Sequence, residues 1–325
     1  MKIGALVIVG LGVTCCLVMT GQSLGEGGSS IVPESNQELL PVVLAGSTNT
    51  ASSVKSGKGH ISVHEWESAT GAEAQETRGE YDVVFSGQKF KVKRRVTTST
   101  VDQPVTYTHD GVKIEQLYEY GEIEGDVYDR QSSGAKHVLD DYNYRWGIGV
   151  PRTLGAGLCD LKEFHDAINF PGGTRTDPAI VGRETIDGDD CIVIEWVLTA
   201  NFSDGSPDRV QTYRCWINTS KGFTLRKLCK WHQGDEWKEK TLTAQSEYSV
   251  RSCGDGLWCP VQYADTDFGA DPKNPNMTVP IRRFTVTYAP DFQINVPVED
   301  AELSLEFPSG CKVYDRIKDA RYTQP

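Results

Sequence analysis

The chain has 325 residues, with 33 basic and 45 acidic side chains, a formal charge of −12 and a pI near 5.0. An acidic surface repels phosphates, which argues against nucleic acid binding and against recruitment to anionic membranes by a basic patch. The length admits one large β domain or two smaller ones, either able to bury a sizeable core.

Residues 1–25 read as a secretory signal peptide of a bacterial protein. Lys2 precedes an apolar run from Ala5 to Met19, and small residues follow in Thr20-Gly21-Gln22-Ser23-Leu24-Gly25. The run is about 15 residues, short of the ~20 that a spanning helix needs, and no basic stop-transfer cluster follows it. Cys15 and Cys16 lie inside the run, after Val13-Thr14, which argues against lipid attachment. No later stretch approaches the length of a span, so the mature protein is expected to be soluble and periplasmic or secreted.

Residues 26–32 read as a flexible lead-in to a domain expected over 33–325. Pro33 to about Ser53 reads as a helix, with Pro33 in its first turn and Leu39, Leu40, Val43 and Leu44 at helical spacing. From Gly59 the period changes to two, and β-branched and aromatic residues alternate between Gly, Asp and Asn turns. Tyr81, Val83 and Phe85 share one strand face. After the turn Ser86-Gly87-Gln88, Phe90, Val92, Arg94 and Val96 alternate back against Lys91, Lys93 and Arg95. The basic run from Lys89 to Arg95 therefore reads as a strand with one solvated face.

The segment at about 132–171 breaks the pattern, with a helical patch from Leu161 to Ile168 bounded by Pro and Gly, and reads as an insertion crossing one face. A second hairpin runs from Ile180 to Ile186 and returns as Cys191 to Leu198, turning at Asp187-Gly188. Further strands follow at Val210 to Ile217, Phe223 to Trp231, Lys238 to Val250, Leu257 to Tyr263 and Ile281 to Tyr288. The expected fold is mainly β (α+β), one domain of about ten strands with helices on one side; two subdomains split near Pro178 are the alternative.

The candidate chemical motifs have plain structural explanations. His60 and His64 would present two metal ligands on a helix, but on a strand they stand about 13 Å apart. Asp187, Asp189 and Asp190 lie in a hairpin turn rather than a 12-residue calcium loop. Asp140 and Asp141 beside Tyr142 and Tyr144 read as solvated loop acids. Cys159 with His165 and Asp166 lacks the placement of a nucleophile and base, so no catalytic residue, metal or cofactor is assigned. Asn201, Asn218 and Asn276 stand in Asn-x-Ser/Thr triplets, which matter only in a eukaryotic secretory route. Export makes disulfides the default for the remaining cysteines, whose odd number leaves one thiol over. Cys253 and Cys259, bracketing Gly254-Asp255-Gly256-Leu257-Trp258, are the expected pair.

The order of elements resembles the LolA/LolB-like outer-membrane lipoprotein-carrier superfamily, in its broad exported-protein branch. The likeness is carried by the meander opening at Ser56 to Trp66, the hairpin from Tyr81 to Arg95, the hairpin from Val181 to Trp196 and the strand pair around Tyr213 to Leu228. Asp255 to Tyr263 and the closing Leu305 to Asp315 extend it, so it covers about Pro33 to Asp315. The resemblance implies a curved antiparallel half-barrel with helices covering its concave apolar side. It also implies a carrier of acyl chains or other hydrophobic ligands, related to lipoprotein sorting, or an extracytoplasmic sensor or protein-interaction module without lipid.

A ligand on that concave face is expected to meet Tyr81, Val83, Phe85, Phe90 and Val92, with Trp196 or Trp216 along the acyl path. Arg94 is the one cation of the face, placed either to pair with a strand acid or to meet a carbonyl or carboxylate head group. A membrane or lipoprotein partner is compatible with this reading, and a hydrolase is the third alternative.

Overall fold

In a computed structural model, the structure describes residues 36–68, 74–98, 101–110, 112–119, 122–129, 158, 160–167, 173–200, 209–234, 237–271 and 274–325. The signal peptide, the lead-in, Pro33, Cys159, Asn201 and most of the 132–171 segment lie outside them. Residues Ser35–Pro325 group as one compact unit.

The first element is helix α1 (Asn36–Ser53). Its buried residues Leu39, Val43, Ser47 and Ala51 recur every four positions, which is one narrow stripe of a helix. A meander follows: β1 (Ser56–Glu67), β2 (Gln75–Ser86), β3 (Lys89–Thr98), β4 (Val101–His109), β5 (Lys113–Tyr118) and β6 (Glu124–Asp129). Helix α2 (Leu161–Ala167) precedes a second run: β7 (Thr174–Arg175), β8 (Ala179–Ile186), β9 (Asp189–Ala200), β10 (Arg209–Asn218), β11 (Thr224–Gly234), β12 (Trp237–Gly254), β13 (Leu257–Asp271) and β14 (Asn274–Tyr288). The chain continues through β15 (Gln293–Ile294), the short helix α3 (Asp300–Leu303), β16 (Lys312–Asp315) and β17 (Ala320–Thr323).

These 17 strands, among the described residues, form a single open sheet. β1 is its centre, paired with β2 on one side and with β14 and β15 on the other. From β2 the sheet runs outward through β3, β4, β5 and β6 to β16 and β17. From β14 it runs through β13, β12, β11 and β10 to β9, which carries β8 and β7. Pairing is antiparallel except between β6 and β16, which is parallel. At the β8–β9 turn Asp187 and Gly188 take φ of 50° and 83°, the two positive values a tight hairpin needs.

The expectation of about ten strands falls short of this sheet. Pro104 inside β4 and the polar residues around it hide that strand's alternation, since proline reads as a breaker. β5, β6, β16 and β17 are short, and the pairing of β16 with β6 joins segments nearly two hundred residues apart.

The core lies on one face of the sheet. Leu39 and Val43 of α1 and Leu161 of α2 pack in one cluster with Ile61, Val83, Phe85, Phe90 and Val92 on one flank, and with Ile194, Trp196, Ile217 and Leu225 on the other. On the opposite face the chain from α3 to β16 crosses β2 to β6. Lys58 pairs with Glu302 at 2.8 Å, Lys89 with Asp300 at 3.1 Å, and Lys91 Nζ donates to Ser304 O at 2.8 Å. The basic run of β3 thus turns its lysines away from the core, as its alternation predicts.

Candidate functional site

Period-two alternation decides what reaches the core face. In the β2–β3 register Phe85 lies opposite Phe90, Val83 opposite Val92 and Tyr81 opposite Arg94. Tyr81, Val83, Phe85, Phe90 and Val92 are all buried, Val83 at 1 % exposure. Trp196, 2 % exposed, joins them from β9 and stacks on Tyr213 with centroids 5.5 Å apart.

Trp216 does not share this face. It stands three residues beyond Tyr213 on β10, an odd offset, and packs on the opposite side with Cys191, Val193 and Cys229. There its indole Nε1 donates to Glu184 at 2.8 Å, and Arg214 and Lys227 lie over its ring.

Arg94 lies among the apolar residues with its guanidinium 5.9 Å from the Tyr107 ring centroid. Its Nε is buried without a hydrogen-bond partner among the described residues, and no described carboxylate forms an ion pair with it. Trp196 Nε1 is likewise buried without an acceptor among them. A buried donor left unmatched costs roughly 1–3 kcal/mol, so both N–H groups favour an oxygen brought by something else.

The two longer helices roof this face through few polar contacts. Thr48 Oγ1 of α1 donates to Asp160 at 3.0 Å, Leu161 N donates to Ser47 Oγ at 3.3 Å, and Thr50 Oγ1 donates to Gly222 O. From α2, Phe164 meets Trp196 and Tyr213 edge-on, at 5.8 and 6.2 Å between centroids. His165 meets Trp196 in the same way at 5.6 Å, while its Nε2 lies 3.0 Å from Thr176 O. Among the described residues, two cavities are lined away from this face. One of about 140 Å³ touches the core through Tyr248, beside Arg226 and Gln262; one of about 610 Å³ opens along β6, β16 and β17.

One end of the face is charged, which the sequence reading missed. Arg282 Nε donates to Glu65 at 2.6 Å and its Nη1 lies 3.5 Å from Asp267. Ser246 Oγ donates to Asp265 at 2.6 Å, and burial pushes that carboxyl above the usual carboxylate range. Burial pushes the Lys230 ammonium below its ordinary value. The available signal was the alternation Tyr263, Asp265, Asp267 on β13, which sets two acids on the same face as a core tyrosine.

The remaining motifs resolve locally. His60 and His64 point to solvent from β1: His60 stands between Asp82 at 2.8 Å and Asp291 at 2.5 Å, and His64 lies 3.6 Å from Glu76. Asp189 pairs with Lys221 and Arg226, tying the β8–β9 turn to the β10–β11 turn. Asn218 is wholly buried, its Oδ1 accepting from Ser220 and Lys221 N, so the folded chain offers no glycosylation site there. Cys253 and Cys259 stand at disulfide distance, with Cα atoms 5.9 Å apart. Cys191, Cys215, Cys229 and Cys311 are buried, and burial raises Cys191 and Cys229 to about 11, which keeps both thiols protonated. No helix among the described residues is long and apolar enough to cross a membrane.

No family model and no curated protein matches the chain. Among solved structures it is similar to a LolA superfamily protein from Nitrosomonas europaea, at 14 % identity over 82 % of this chain and 97 % of that one, with a TM-score of 0.38. It is also similar to a DUF1329 family protein from Desulfovibrio piger, at 10 % identity over 81 % and 96 % and a TM-score of 0.35. The lipoprotein LppX of Mycobacterium tuberculosis follows, at 14 % identity over 80 % and 98 % and a TM-score of 0.28.

Proposed function

We propose that the chain is an exported binding protein or carrier for a hydrophobic, acyl-type ligand, held between the sheet and helices α1 and α2. The sheet acts as a curved half-barrel, its concave side covered by the two helices, and the ligand is bound without being transformed. The observation that carries this reading is the pairing of a continuous apolar face with buried N–H donors that lack a protein acceptor: Trp196 Nε1 and Arg94 Nε, among the described residues. An acyl chain supplies the apolar contact, and its ester or carboxyl oxygens supply the acceptors.

In this reading Tyr81, Val83, Phe85, Phe90, Val92 and Trp196 line the chain's path. Arg94, steadied by Tyr107, meets a ligand oxygen. Trp216, on the other face, takes no part. Opening costs polar contacts of α1, among them those of Ser47, Thr48 and Thr50, together with the packing of Leu39, Val43 and Leu161, and the bound chain replaces the lost apolar burial. Residues 1–25 direct the chain to the periplasm, where a lipoprotein or membrane is the donor or acceptor of the ligand.

Titration of delipidated protein with the neutral probe N-phenyl-1-naphthylamine tests the reading. Saturable binding at micromolar concentration that long-chain lipids displace supports it. The absence of saturable binding favours the alternative, a sensor or protein-interaction module whose core is filled by its own side chains.

A further inference from the structure

One row of side chains crosses the charged end of the apolar face. The register sets Trp196 opposite Tyr213, Tyr213 opposite Lys230, Lys230 opposite Ala244, Ala244 opposite Asp267 and Asp267 opposite Arg282. Residues directly opposite one another share a face. The contacts agree: Trp196 stacks on Tyr213, and Lys230 Nζ lies 5.8 Å from the Tyr213 centroid. Ala244 carries only a methyl group, so between Lys230 and Asp267, two strands or about 10 Å apart, the face has a notch.

The polar groups around this notch are matched except on one side. Arg282 is shared by Glu65 and Asp267, Asp265 accepts from Ser246, and the Tyr213 hydroxyl donates to Gln211 at 2.8 Å. The Lys230 ammonium makes no hydrogen bond or ion pair among the described residues; half-buried, it rests on the Tyr213 ring. Burial lowers its proton affinity, and Asp267 restores part of it from a distance. Such a cation gains most from an anion at hydrogen-bond distance.

Given an acyl ligand bound as proposed above, on which this inference rests, we infer that its head group is an anion, a carboxylate or a phosphate, held by Lys230 over the Ala244 notch. The apolar rows beyond the notch, from Leu228 and Cys215 to Ile217 and Leu225, then receive the chain.

The test is displacement of N-phenyl-1-naphthylamine by palmitate, hexadecyl phosphate and methyl palmitate, from the full mature chain and from Lys230→Met and Lys230→Arg. A charge-assisted hydrogen bond is worth about 1.5–3 kcal/mol, so wild type is expected to prefer at least one anion over the ester by about ten- to a hundredfold. Lys230→Met is expected to bring the three ligands together while methyl palmitate keeps its wild-type affinity, and Lys230→Arg to restore the preference. Which anion wins identifies the head group as carboxylate or phosphate. Equal wild-type affinity for acid, phosphate and ester, or a preference that survives in Lys230→Met, overturns the inference and leaves the ligand reading intact. Failure of all three to bind overturns both.

Discussion

Gly46 of α1 faces the ring of Phe223 so closely that a Cβ at position 46 would overlap Phe223 Cδ2. The helix seats on the β10–β11 turn because it has no side chain there, and Phe223 itself holds a φ of 57° to present its ring. Thr50 fastens the same spot by donating to Gly222 O. Gly46→Val is therefore expected to lift α1 from the sheet at a cost of about 1–3 kcal/mol. Hydrogen exchange checks this: amides of α1 should lose protection while β1 and β14 keep theirs.

The two tryptophans separate the faces. Trp196→Phe removes an indole N–H that has no acceptor among the described residues and, on the proposed reading, is expected to weaken ligand binding several-fold. Trp216→Phe breaks the bond to Glu184 on the opposite face and should lower stability by about 1 kcal/mol with no change in affinity. Paired melts and probe titrations distinguish these outcomes.

His60 makes stability depend on pH. Its hydrogen bond to Asp291, with the nearby charges of Asp291, Asp82 and Glu80, raises its pKa above the ordinary 6.5 against a small opposing effect of burial. A raised folded pKa gives a contribution that is complete below pH 6.5 and lost as pH rises through the folded value. The imidazole is mostly exposed, so the contribution stays below about 1 kcal/mol. Urea melts of wild type and His60→Gln should differ at pH 5.5 and converge by pH 9.

Cys253 and Cys259 close a short loop across the β12–β13 turn. Closing a loop of this size restrains the unfolded chain by about 2 kcal/mol at most. The double Cys→Ser variant should lose no more than that, and non-reducing peptide mapping of protein exported by its own cells should recover the two cysteines in one linked fragment.

The hairpins were legible in the sequence because their alternation is long and their turns carry Gly or Asp, as at Ser86 to Lys89 and Ile186 to Asp190. The face that Tyr81 to Val92 present followed from the same period. What escaped depended on pairings distant in sequence. Pro104 disguised β4, and the parallel seat of β16 on β6 has no local signature. Trp196 and Trp216 look alike in composition, and only their offset from Tyr213 assigns them to different faces. The charged row of Lys230, Asp267 and Arg282 exists because four strands align in register, although Asp265 and Asp267 already alternate with Tyr263.

Native mass spectrometry of the protein purified from its own cells, followed by solvent extraction, tests the central claim most directly. The account predicts a mature chain carrying one acyl-type ligand, released on extraction and lost in a variant whose α1 no longer docks. A chain recovered at its bare mass that takes up no lipid at micromolar concentration would contradict it.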